Sequence, residues 1–204
     1  MIDDRSKGDV ARAEIMDAAR QLFLLQGYNG TSMRAIAQAA GNRAVAGLYN
    51  HFPTKEAIFR ALIEEQNPYG ALLGILNNAQ GETAEAYIRS ALTDILIVMP
   101  QYYDFFQLAL IDLREFEGRH VAQVLSEKVF PQVIGVIVRL QALPGLKPLD
   151  GVVLVRLMAS LVVGYIVTGN IAPGMTFEQL PHEVWSRQFI DALLYGIMDD
   201  DARE

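Results

Sequence analysis

Apolar residues recur along this chain at helical spacing. In the first stretch Ile15, Ala18, Ala19, Leu22 and Phe23 fall on one helix face, at the i, i+3, i+4, i+7, i+8 positions that a 3.6-residue period aligns. Gly27 reads as the stop of that helix. Asn29-Gly30 reads as a turn, with Thr31 placed to cap the next helix. That helix is short, with Met33, Ile36, Ala37 and Ala40 inward, and it ends at Gly41. A third short helix is predicted from Arg43 to Asn50, with Val45 and Leu48 as its apolar points. Phe52-Pro53-Thr54 breaks the chain, and Thr54 caps a fourth helix carrying Ile58, Phe59 and Leu62 to a stop at Pro68.

Longer stripes follow. Ile88, Ala91, Leu92, Ile95 and Met99 run to Pro100; Tyr103, Phe106, Leu110 and Leu113 form the next stripe, widened by Tyr102, Phe105 and Ala109. Val121 to Leu140 is helical, with Pro131 as a kink or break. Gly145 and Pro148 mark a loop, and Leu149 to Val167 is apolar nearly all round. Pro181 opens a last helix with Trp185, Phe189, Leu193 and Ile197 at near four-residue spacing. No stretch alternates with period two, so the fold class is all-α. The pattern divides into a small N-terminal helix-turn-helix, 1–56, and a helical body, 57–204.

Charge sharpens that division. The net charge of −7 looks wrong for a partner of nucleic acid until it is split. Residues 1–60 hold eight Lys/Arg against six Asp/Glu, and residues 61–204 hold nine against eighteen. The two parts therefore carry +2 and −9, an asymmetry that leaves one face able to dock on a polyanion. The chain has no Cys, which removes disulfides, thiolate metal sites and cysteine nucleophiles and fits a reducing, cytoplasmic setting. The polar N-terminus, Met1-Ile-Asp-Asp-Arg, lacks the apolar segment of a signal peptide. Leu157 to Phe177 carries no charge, but Gly169, Asn170, Pro173 and Gly174 interrupt it. A buried helix followed by a loop suits it better than a membrane span.

Two short helices joined by a turn at Gly41, after a longer helix, make a helix-turn-helix whose second helix enters the major groove. Small residues there, Ala44, Ala46 and Gly47, allow close approach. Thr31, Ser32, Arg34, Asn42, Arg43, Tyr49, Asn50, His51 and Lys55 ring it with polar and basic groups. No nucleophile elbow, phosphate-binding glycine loop or paired-His motif is present. The three His are scattered without the acidic partners of a metal site, so neither cofactor nor metal is expected. His120 and His182 read as solvated helix residues. Asp112 and Arg114 read as a salt-bridged surface edge, or else as groups orienting a polar ligand.

The run Thr31-Ser32-Met33-Arg34-Ala35-Ile36-Ala37, then Ala39-Ala40-Gly41, then Leu48-Tyr49-Asn50-His51-Phe52-Pro53-Thr54-Lys55-Glu56 closely resembles the tetracycline-repressor (TetR) family of bacterial regulators. The resemblance covers about residues 10–60. It implies a three-helix DNA-binding head and a helical body with a ligand pocket, the body dimerising through its last two long helices. It also implies phosphate contacts at Thr31, Ser32, Tyr49 and Lys55, with base contacts from the recognition-helix face, where Arg43 and Asn50 are the expected readers. Palindromic operator DNA, a small and largely apolar effector and a second copy are the partners it implies, with release of operator DNA by the effector. Met99, Tyr102, Tyr103, Phe106, Leu110, Arg114, Met158 and Tyr165 are the candidates for the effector site. Val162, Val163, Trp185, Phe189 and Leu193 are the candidates for the dimer interface. A helical enzyme, or a binding protein without DNA recognition, is the alternative. One departure stands out: six residues, Asn42 to Gly47, separate the turn glycine from Leu48, where the family has five. Either the turn is longer or the helix begins earlier.

Overall fold

The computed structural model of this chain describes residues 7–171 and 181–197. All the regular structure among them is helical. Eleven α-helices run in the order α1 (Lys7–Gly30), α2 (Met33–Ala39), α3 (Val45–Tyr49), α4 (Lys55–Glu65), α5 (Tyr69–Asn78), α6 (Ala84–Val98), α7 (Tyr103–Phe116), α8 (Arg119–Val124), α9 (Phe130–Gln141), α10 (Gly151–Ile171) and α11 (His182–Ile197). A 3₁₀ turn, Met99–Tyr102, precedes α7, and a π-helical turn, Leu125–Val129, precedes α9. Residues 172–180, with Pro173 and Gly174 of the expected loop, and residues 198–204 lie outside the described residues.

Two compact units result. The first joins residues 7–67 to 104–124, and the second joins 68–103 to the described residues from 125 onward. The sequence division at 56/57 falls inside the first turn of α4.

In the first unit the apolar stripe of α1 is buried as its spacing dictates: Ile15, Ala19 and Phe23 are fully enclosed, with Ile36, Leu48, Ile58, Phe59, Leu62 and Leu108. Backbone φ turns positive at Gly27, 78°, a conformation that favours glycine. The helix proper therefore stops there, and one further turn carries the chain to Gly30. Arg12 donates two hydrogen bonds to the Glu65 carboxylate and lies 5.0 Å above the Phe52 ring, pinning α1 to α4. An aromatic cluster of Phe23, Tyr28, Phe59 and Phe116 packs largely edge to face, with centroids 4.6 to 5.6 Å apart; such pairs contribute beyond their buried area.

Two expectations are corrected in this unit. His120 is not solvated, being 5% exposed, and Asp112 is 0% exposed. The His120 Nδ1 and Asp112 Oδ1 atoms are 2.6 Å apart. Asp112 also accepts the Val121 N–H at 3.0 Å, in the first turn of α8. A helical period places Asp112 on α7 but gives no sign that α8 folds back over it. That reversal depends on two consecutive left-handed residues, Glu117 at φ 58° and Gly118 at φ 76°.

The second unit is built on α6, whose Tyr87, Ile88, Ala91, Leu92, Ile95 and Leu96 are buried. Thr83 caps it by accepting the Ala86 N–H at 3.2 Å. Arg89 ties it to α11 through Asp191 at 2.7 Å. Gly81 is required by space: a Cβ there would stand 2.3 Å from the Tyr87 nitrogen. Pro131 stands in the first turn of α9, directly after the π-helical turn Leu125–Val129, so the regular α-helix is broken where the proline was expected to kink or break it. Two stretches, Arg119–Gln141 and Gly151–Asn170, are long and apolar enough to cross a membrane by length and composition. The first contains the π-helical turn and the charges of Glu127, Lys128 and Arg139. The second, within α10, buries Leu154 and Ile166 and leaves Val152 76% exposed, with Val153, Leu157 and Val163 also exposed.

Burial pushes the Tyr69 phenol, at the start of α5, up to about 12. The fold therefore favours the protonated phenol. Its contribution is fully present below the ordinary tyrosine value of about 10 and is lost as pH rises through about 12. Tyr69→Phe is expected to flatten the alkaline fall of stability by about 2 kcal/mol, read as urea midpoints on the alkaline side.

Candidate nucleic-acid interface

The junction between α1 and α2 is held by polar contacts that close on themselves. Thr31 is 3% exposed; its hydroxyl donates to the Gly27 carbonyl at 2.9 Å and accepts from the Gln26 amide at 3.3 Å. The cap of α2 is Ser32, not Thr31: the Ser32 hydroxyl accepts the Ala35 N–H at 3.1 Å. The sequence misassigns the cap because both residues are good caps and stand side by side.

Lys55, at the first position of α4, reaches back to this junction. Its ammonium donates to the Tyr28 and Thr31 carbonyls, both at 2.7 Å, and lies 4.0 Å from the centre of the Tyr28 ring. Burial pulls its pKa below the ordinary lysine value, with Glu115 acting in the opposite direction. Burial raises the Tyr28 phenol; Glu56 adds to that effect and Arg119 opposes it. Tyr28 escapes sequence reasoning, which gives it no role; the Tyr-to-Lys separation of 27 residues carries no period.

The helix-turn-helix turn settles where the extra residue goes. α2 ends at Ala39 and α3 begins at Val45, so the turn is longer. Gly41 and Asn42 both have positive φ, 88° and 55°, and Asn is among the side chains that tolerate this region. The Asn42 N–H bonds to the Gln38 carbonyl at 3.0 Å and the Arg43 N–H to the Ala37 carbonyl at 2.9 Å. These two bonds close the end of α2. Ala44 is the N-cap of α3, with extended backbone and no side-chain cap. The recognition helix is thus shorter than the predicted Arg43–Asn50.

Exposure sorts the expected DNA-facing residues. Ser32, Arg34, Asn42, Ala44 and Asn50 are exposed, and Tyr49 is 52% exposed. Nothing lies within 4 Å of a Cβ built on Gly47, so its face of α3 is open. His51 is half-buried. Arg43 turns back to α1, where it pairs with Glu14, and its Nε is buried without a hydrogen-bond partner. It borders a cleft of about 480 Å³ that includes Glu14 and Asp17, an acidic lining unsuited to phosphate. Thr31, Arg43 and Lys55 are therefore engaged inside the unit, and the exposed set is the one placed at a surface.

The expected effector-site residues divide between the units. Phe106, Leu110 and Arg114 belong to the first, where Leu110 is exposed and Arg114 pairs with Glu115 at 2.9 Å. Met99, Tyr102, Tyr103, Met158 and Tyr165 belong to the second. Met99 is buried there, and Tyr165 lies 5.6 Å from Phe189. Among the expected interface residues, Val163 is exposed, while Val162, Trp185, Phe189 and Leu193 are half-buried.

Two substitutions test this geometry. Lys55→Met keeps the apolar stem but leaves two carbonyls without their charged donor. A loss of about 1–2 kcal/mol is expected in urea unfolding. Ala44→Ser supplies the missing cap of α3, and a gain of about 0.5–1 kcal/mol is expected in the same assay.

Known proteins resemble this chain in part of its sequence and in its fold. Residues 15–62 match the family model for bacterial regulatory proteins of the tetR family. The transcriptional repressor AcnR of Corynebacterium efficiens is 27% identical over 103 residues, 49% of this chain and 47% of the repressor. AcnR of Corynebacterium glutamicum matches to the same extent. The match thus spans about half the length of these relatives. Two solved structures share the fold along nearly the whole chain. A tetR-family regulatory protein from Rhodococcus RHA1 superposes with a TM-score of 0.70 at 19% identity, covering 94% of this chain and 97% of that one. NalD, the secondary repressor of the MexAB-OprM multidrug efflux pump in Pseudomonas aeruginosa, gives 0.64 at 21%, covering 93% and 96%. Residues 15–62 are thus similar in sequence to the helix-turn-helix of the tetR family of bacterial regulatory proteins, and nearly the whole chain is similar in fold to a solved tetR-family regulator.

Proposed function

We propose that this protein is a dimeric transcriptional repressor that grips operator DNA with the surface around α2 and α3 and releases it when a small, largely apolar effector binds in the helical body. The observation that carries the reading is the exposed set Ser32, Arg34, Asn42, Tyr49 and Asn50, borne on short helices whose other sides are sealed in a core. Groove entry needs this combination of rigid backing and a polar, small-residue face. The family groups regulators rather than enzymes, and the helical-enzyme alternative falls away on the family match.

Duties divide within the expected contact set. Arg34, Ser32 and Tyr49 are free to meet phosphates, which fix register without reading sequence. Asn42 and Asn50 are free to meet base edges. Thr31 and Lys55 act from inside, by fixing where α2 starts. Such a protein works in the cytoplasm, beside the DNA.

A second copy is the occupant that suits the apolar face of α10 and α11. Val152, Val153, Leu157, Val163, Val184 and Tyr195 are all exposed on these helices, more apolar surface than a monomer usually leaves bare. Two heads so joined reach half-sites one DNA turn apart, about 34 Å, or a multiple of it. An effector that suits only a different head spacing shifts the population away from the operator-bound form, with coupling of about 5- to 150-fold. Buried Met99 and half-buried Met158 and Tyr165 supply apolar lining in the second unit for such a ligand.

Selection of bound fragments from genomic DNA is the direct test. Recovery of a discrete, two-fold-related sequence is expected; retention of no fragment above background contradicts the reading. On a recovered duplex, Arg34→Ala is expected to weaken binding at all sequences. It is also expected to reduce the slope of log K against log salt by about one unit for each phosphate no longer neutralised. Val152→Glu is expected to yield monomers in sedimentation, with half-site affinity only.

A further inference from the structure

The Asp112–His120 pair lies away from the exposed polar set, and it is the most deeply buried carboxyl–imidazole pair among the described residues of the first unit. The imidazole is fixed on every side. Its ring meets Phe116 edge to face at 4.7 Å and Phe59 at 5.8 Å. Nδ1 bonds to Asp112 Oδ1 at 2.6 Å. On the opposite edge of the ring, Nε2 stands 3.4 Å from Glu56 Oε1. Asp112 comes from α7, His120 from α8, and Glu56 from the first turn of α4. Glu56 also accepts from Arg119 at 2.6 Å. Tyr28, at the end of α1, feels both Glu56 and Arg119. Glu115 on α7 acts on the neighbouring Lys55.

The consequence follows from proton counting. A neutral imidazole has one N–H. Asp112 is buried and its carboxylate only accepts, so that proton belongs on Nδ1. Nε2 then turns a lone pair toward a carboxylate oxygen of Glu56, which is repulsive. With a second proton the ring carries a positive charge 3.4 Å from the Glu56 carboxylate, and the same contact becomes attractive. One proton therefore reverses the sign of the tie between α8 and the start of α4. Glu56 is adjacent to Lys55, which holds the carbonyls of Tyr28 and Thr31 at the entrance to α2.

We propose that His120 is a positioning residue that links operator binding to proton uptake: its doubly protonated ring draws α8 onto α4 and steadies the helix-turn-helix. The inference rests on the reading of this unit as a DNA-binding head. It makes the regulator responsive to acidification independently of any effector. Protonation at His120 favours the operator-bound arrangement, so affinity falls when that proton is withdrawn.

The test uses full-length protein and a duplex recovered by selection from a random-sequence pool, titrated at about pH 6 and about pH 8. His51, half-buried just after α3, carries an imidazole of its own, so the comparison is between wild type and His120→Gln, which keeps His51. Wild type is expected to bind about fivefold more tightly at the lower pH than the His120→Gln change with pH accounts for. That is the low end of ordinary coupling, because Glu56 is partly solvated. Glu56→Gln, at a half-buried site, removes the carboxylate without emptying the core and is expected to shrink the same dependence. Equal pH profiles in wild type and both variants overturn the proposal. Absence of any bound duplex at either pH removes the regulator reading instead, and the proton link is then read from amide exchange. Corrected for intrinsic rates, exchange at Glu56 to Phe59 is expected to be slower at the lower pH in wild type alone; equal protection at both overturns it.

Discussion

The Lys55 ammonium is the contact on which the candidate DNA surface depends. A helix end leaves carbonyls without intrahelical donors, and α1 ends in a kink at Gly27 followed by one more turn. The Tyr28 and Thr31 carbonyls share one donor, the Lys55 ammonium, which supplies a hydrogen bond to each at 2.7 Å. The Tyr28 ring below it turns the same charge into a cation–π contact. Thr31 is locked from the other side by its bond to Gly27. The start of α2 is therefore set by α4, although 24 residues of chain separate Thr31 from Lys55. The polar set left outside this lock is the one exposed for the proposed DNA contact.

That arrangement explains how one extra residue in the helix-turn-helix turn is tolerated. Leu48 must stay in the core, and it is fully buried. A helix begun one residue earlier would rotate every following side chain by about 100°. The insertion is absorbed before Ala44 instead, by a second left-handed residue at Asn42 after Gly41. Arg43 is then drawn toward α1 and its pairing with Glu14, and α3 starts without a side-chain cap.

Much of this is legible in the chain. The stripe Ile15 to Phe23, the stop at Gly27, the cap at Thr54 and the stripe Ile88 to Met99 depend on near neighbours, and periodicity reports neighbours well. The exposed polar face at Ser32, Arg34, Tyr49 and Asn50 follows from those same helices. Lys55 and His120 escape in a common way. Each is a polar residue whose partner lies on another element, Thr31 and Asp112 respectively, and no local pattern encodes such a pairing. Asp112 looks like a surface edge because a carboxylate is seldom fully buried; here a ring nitrogen and a helix N–H satisfy it. The apolar excess of α10 is visible in the sequence, but only the fold shows how much of it faces outward.

If Lys55 sets α2 in place from α4, removing its charge must loosen α2. Native-state hydrogen exchange of the Ile36–Ala40 amides, compared between wild type and Lys55→Met, measures this most directly. Protection of these amides is expected to fall by about tenfold or more, equivalent to the loss of one charge-assisted hydrogen bond, while the α6 amides of the second unit are unchanged. Equal protection of α2 in the two proteins would contradict the role given to Lys55.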